Sequence, residues 1–94
     1  MSISKEFQQI MSDIESILSE KDALLPQQIG TNIVNSLTPS HYDTIAEIYI
    51  KYPELEYLEG MGADIEILSD DEIWPTAVDE IVDMFNQIKR KYIK

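Results

Sequence analysis

The sequence predicts an all-α fold: a small four-helix bundle-like domain with an acidic extended linker before the last helix. Three observations carry that expectation. Apolar residues recur at three- and four-residue intervals over long stretches, the spacing of one helix face. A capping residue and a proline stand together where a helix would start, as in Thr38-Pro39. One short stretch alternates like a strand, and no second strand of similar quality is present to pair with it.

In residues 4 to 20, Phe7, Ile10, Met11, Ile14, Ile17 and Leu18 make a single apolar stripe, with Ser2 or Ser4 as the cap. Pro26 suits the first turn of a second helix, where its missing N–H leaves no bond unmade. Ile29, Ile33, Val34 and Leu37 are its core face, and Gly30 and Asn32 make it the weakest of the main helices. From Thr38-Pro39 a third helix presents Tyr42, Ile45, Ala46 and Tyr49 as one stripe, widened by Ile48 and Tyr52. It should stop near Lys51, because Pro53 disfavours helical geometry at Tyr52.

Residues 54 to 59 are expected as a short helical turn closed by Gly60 or Gly62, both suited to a chain reversal. Asp64-Ile65-Glu66-Ile67-Leu68 is expected as an extended connector. Ser69 with Glu72 fits a capping box, and Trp74-Pro75 offers a second helix start one turn later. The last helix then runs from about Thr76 to Tyr92, with Val78, Ile81, Val82, Phe85, Ile88 and Tyr92 as its stripe. Asp79 and Glu80 near its start and Lys89, Arg90 and Lys91 near its end suit the helix dipole.

A chain of 94 residues makes one domain, 1–94. Its net charge of −11 does not imply disorder, because 44% of its residues are apolar and they recur throughout. The absence of cysteine rules out a disulfide framework, a thiolate metal site and a cysteine nucleophile, and fits a cytoplasmic setting. Residues 1 to 21 contain no run resembling a signal peptide, and no stretch approaches the roughly 20 apolar residues of a membrane span. The acidic balance also argues against binding nucleic acid or anionic lipid, which are gripped through Lys and Arg.

The acids are concentrated. Of 18, eleven lie between Glu54 and Asp83, a stretch without Lys or Arg. Repulsion at that density costs stability, so a cationic partner is the first expectation. Large side chains are interleaved with the acids, and Tyr and Trp are the kind that carry interface energy while surrounding charge speeds encounter. The expected partner-binding residues are Glu56, Glu59, Asp64, Glu66, Asp70, Asp71 and Glu72 for steering and pairing, with Tyr57, Ile67 and Trp74 as anchors.

Chemistry is not indicated. His41 is the sole histidine, in the first turn of a helix, and no positioned nucleophile accompanies it. Carboxylate pairs are abundant, but glycoside hydrolysis also needs a deep cleft, which a chain this short has little room to build. An EF-hand loop counted from Asp64 would require glycine at Ser69 and glutamate at Pro75, so that pattern fails. Gly60-Met61-Gly62 lacks the rest of a dinucleotide fingerprint. The expectation is a non-enzyme with no cofactor and no metal.

In Asp64-Ile65, Asp70-Asp71, Pro75, Val78, Val82 and Phe85 the chain resembles the colicin- and pyocin-type nuclease immunity proteins. In that family an aspartate-led segment precedes an acidic turn, a proline opens the last helix, and an Ile/Val stripe ends in an aromatic. The family's adjacent tyrosines fall on Ile67 and Leu68 here, and Lys89 to Lys94 stands where its glycine-rich tail would be. The resemblance covers about a third of the chain, and the diverse immunity proteins of contact-dependent growth inhibition fit as well. It implies a bacterial, cytoplasmic inhibitor of a basic nuclease-type toxin. The other expectation is a helical adaptor or assembly subunit whose acids are solvated exterior. Oligomeric state is left open.

Overall fold

Ser4 starts the first helix as its capping position requires: its Oγ accepts the Phe7 N–H at 3.2 Å. In the computed structural model, which describes residues 4–38, 44–68 and 74–93, five α-helices follow. They are α1 (Lys5–Ser19), α2 (Pro26–Ser36), α3 (Ile45–Lys51), α4 (Glu54–Leu68) and α5 (Trp74–Tyr92). The described residues contain no strand, and the all-α class holds.

The helix ends follow local chemistry. Pro26 occupies the first turn of α2, and Gln28 Oε1 accepts the Leu25 N–H at 2.9 Å. Thr44 Oγ1 accepts the Glu47 N–H at 3.2 Å and caps α3. Pro53 ends α3 as expected and places α4 immediately after it, with Tyr52 between the two. The last helix begins at Trp74, two residues before the expected Thr76, and closes on Lys89, Arg90 and Lys91. His41 and the Ser69/Glu72 box lie outside the described residues.

The acidic extended linker is not borne out. Residues 54–68 are one continuous helix, and Gly60 and Gly62 lie inside it, not at a reversal. The alternation at 64–68 arises from two opposite helix faces. Ile65 is buried, one turn beyond Gly62 on the stripe that begins with Leu55 and Leu58, whereas Ile67 points outward and is 77% exposed. Helical geometry also satisfies the backbone groups that an isolated strand would have left open.

Helix α4 is the centre of the molecule. It packs most extensively on α2, and it also touches α5 and α3, while α1 covers α2. Phe7, Ile14, Ile29, Ile33, Leu37, Leu55, Leu58, Ile81 and Ile88 are fully buried between them. Each such side chain contributes roughly 1.5–3 kcal/mol. An aromatic cluster closes one end: Phe7 stacks on Tyr52 at 4.0 Å between ring centroids, and Tyr92 meets both edge-on at 5.6 and 5.0 Å. These rings join α1, the α3–α4 junction and the end of α5.

Candidate functional site

With 3.6 residues per turn, the stripe Leu55, Leu58, Gly62 and Ile65 turns inward, so the opposite face of α4 must carry Glu56, Tyr57, Gly60, Asp64 and Ile67. All five are exposed. Tyr57 is 66% exposed and Ile67 77%, two of the four large hydrophobic residues that the described chain leaves in solvent. Ten residues separate them, which on a helix is about 15 Å. Gly60 lies between, with nothing within 4 Å of the position a Cβ would take. The face is therefore low in its middle and raised at both ends by an apolar side chain, with a carboxylate beside each.

Four of the expected binding residues, Glu56, Tyr57, Asp64 and Ile67, thus share one outward surface. Glu59 and Glu66 are half-buried and lie to the side of it. Glu59 accepts the hydroxyl of Tyr49 and so ties α3 to α4. Burial, and then that bond, push the Tyr49 hydroxyl well above the ordinary tyrosine range. The Glu66 backbone lies where α4 crosses α2 at Gly30. Asp70, Asp71 and Glu72 lie outside the described residues, and Trp74 opens α5.

A groove that sequence reasoning missed adjoins this face. It has a volume of about 290 Å³ and lies between the first turn of α4 and the last turns of α5. Tyr57, Met84 and Ile88 supply its apolar walls, and Glu54, Gln87 and Lys91 its polar ones. Glu54 accepts hydrogen bonds from Lys91 Nζ and, at 2.7 Å, from the Tyr92 hydroxyl. The Lys91 ammonium holds the Glu54 carboxyl below its usual value, and Tyr92 acts in the same sense against partial desolvation. Burial, followed by the bond to Glu54, raises the Tyr92 hydroxyl. The signal for this groove was the spacing of Met84, Gln87, Ile88 and Lys91 along α5, but nothing in it marked Glu54 as the facing residue.

Among the described residues, no group of three or more His, Cys, Asp or Glu side chains is placed to hold a metal ion. No described helix is long and apolar enough to cross a membrane. The α4 face sets two exposed carboxylates, Glu56 and Asp64, beside two exposed apolar side chains, Tyr57 and Ile67. No protein-family model matches the chain, and no curated protein or solved structure matches it.

Proposed function

We propose that this chain is a toxin-neutralising immunity protein that binds a basic nuclease-type toxin through the outward face of α4. The observation that carries the reading is the shared exposure of Tyr57 and Ile67 beside Glu56 and Asp64, in a stretch from Glu54 to Asp83 that contains no base. Exposing large apolar groups costs solvation, and leaving like charges together costs repulsion, so a surface that does both gains most when a complementary partner covers it. Enzymes that grip phosphate backbones present cationic surfaces, and a carboxylate array competes for them. The resemblance to nuclease immunity proteins points the same way.

A second reading, a helical adaptor, draws on Ile50 and Leu25, which are 81% and 66% exposed and lie outside α4. Such an adaptor would use apolar contacts on other elements and leave the acids in solvent.

The test is co-expression with a panel of basic nuclease-type toxin domains, with survival and nuclease activity as readouts. The parent chain should restore survival and suppress cleavage, and the double reversal Glu56→Lys/Asp64→Lys should do neither. Full neutralisation by that variant would remove α4 as the binding face. Capture of a partner that survives the reversal but is lost with Ile50→Ser would favour the adaptor.

A further inference from the structure

We infer that two copies of this chain pair through the outward face of α2. Leu25 of each copy then sits in the groove that Leu24, Gln27, Gln28, Thr31 and Asn32 line on the other. Gly30 and Ile33 of α2 meet Gly62 of α4, so the outward faces of the two helices point away from each other. Pairing through α2 therefore leaves the α4 face free, and the inference stands whether or not the chain binds a nuclease.

Charge selects the surface, and hydrogen-bonding chemistry selects the occupant. Residues 23–42 contain no Asp, Glu, Lys or Arg, in a chain that is 27% charged and carries a net charge of −11. Among the five described helices α2 alone has no charged side chain, and every other one carries acids that a second copy would oppose. Interface cores are likewise depleted of charge. The outward face of α2 presents Gln27, Gln28, Asn32 and Asn35, all exposed, with Thr31 half-buried. A two-fold axis brings a surface onto its own copy, so that surface must complement itself. Carboxylates do not, because both sides accept; amides do, because each carries donors and an acceptor. The groove has a volume of about 310 Å³, and its lining runs from Leu24 to Asn32, centred on Gln28. With the axis at Gln28 and the two helices antiparallel, Leu25 of one copy falls opposite Thr31 of the other, inside the groove. Leu25 is 66% exposed and stands beside its own groove, so each copy offers both the apolar side chain and the site that covers it.

The test is sedimentation equilibrium of the full chain across protein concentration, at low and at high salt. The mass should rise from monomer to dimer. An interface built on one short helix is small, so the dimer should be weak. It should strengthen with salt, because screening removes the repulsion between two copies at −11 each. Leu25→Glu sets a carboxylate into each groove and should weaken the dimer by about tenfold or more, since that charge would be buried unpaired. The chain has no cysteine, so single-cysteine variants report the geometry. On mild oxidation Gln28→Cys, at the axis, should cross-link faster than Asn35→Cys, which lies about 10 Å further along the helix. Circular dichroism checks that each variant keeps its fold. Three results would overturn the inference: a monomer at every concentration in both salts, equal cross-linking at the two cysteines, or a dimer undiminished in Leu25→Glu, which loss in Ile50→Ser would assign to α3.

Discussion

Gly30 of α2 and Gly62 of α4 face each other where the two helices cross, and their backbones meet without an intervening side chain. A Cβ on Gly30 would strike the Gly62 carbonyl oxygen and lie 2.7 Å from the Glu66 backbone nitrogen. A Cβ on Gly62 would instead meet the Ile33 side chain at 3.1 Å and the Gly30 carbonyl oxygen at 3.2 Å. The crossing holds α4 against α2 and thereby sets which face of α4 turns to solvent.

The two positions should respond unequally to alanine. Gly30→Ala forces backbone apart, at a cost of about 1–3 kcal/mol that exceeds the roughly 1 kcal/mol gained in helix propensity at its upper end. Gly62→Ala presses mainly on a side chain that can shift, so its net change should be the smaller one. Urea unfolding of both variants would check the order.

Gly60 should behave oppositely. It is exposed, inside a helix, with open space around it. Gly60→Ala is expected to stabilise the chain by about 0.5–1 kcal/mol, seen as a higher urea midpoint at unchanged slope.

Glu54 gives the chain an acid-sensitive contact. Its carboxyl is held below 4.5 by Lys91, so in that region the folded chain binds fewer protons than the unfolded one. Its contribution is therefore present above the ordinary carboxylate range and is lost as pH falls through the folded value. The stability difference between the parent and Glu54→Gln should be under about 1 kcal/mol at neutral pH, because the pair faces solvent, and should vanish in acid. Urea unfolding at a series of pH values measures it.

Tyr49 should set an alkaline limit. Burial and the bond to Glu59 keep its hydroxyl protonated in the folded chain above 10.0, where the unfolded chain ionises. Its contribution is complete below that pH and is lost as pH rises through the folded value. Tyr49→Phe should cost about 0.5–1 kcal/mol at neutral pH and flatten the alkaline decline, as followed by circular dichroism.

The fold class and helices α1, α2 and α5 could be read from the sequence because their apolar stripes keep one period. Helix α3 instead starts at Ile45 on the Thr44 cap, not at the expected Thr38-Pro39, and buries Ile48 while Ala46 is exposed. The signals at Ser4, Pro26 and Pro53 act within a turn, so local chemistry sufficed for them. Helix α4 was misread for two physical reasons. Ile67 and Tyr57 place apolar groups on its solvent face, which blurs the period. Gly60 and Gly62 look like turn residues, but at Gly62 the glycine answers to a partner helix more than thirty residues earlier in the chain. Of the residues that broke the pattern, Tyr57, Gly60 and Ile67 lie on the proposed binding face, where local rules are expected to yield to function, and Gly62 lies on the buried one. The convergence of Glu56, Tyr57, Asp64 and Ile67 could not be anticipated from an extended linker, because it needs a helix to bring them to one side. The Glu54 groove needed the antiparallel placement of α4 and α5, a long-range fact.

The association rate with a cationic nuclease, the proposed partner, followed by stopped flow across ionic strength, tests most directly the proposal that the α4 carboxylates steer binding. The parent chain should associate fastest at low salt, with a rate that falls roughly 10- to 1000-fold as the Debye length shrinks from about 30 Å to 3 Å. Glu56→Lys/Asp64→Lys should start lower and fall less. A parent rate indifferent to salt, or identical to that of the reversed variant, would contradict a steering role for this face.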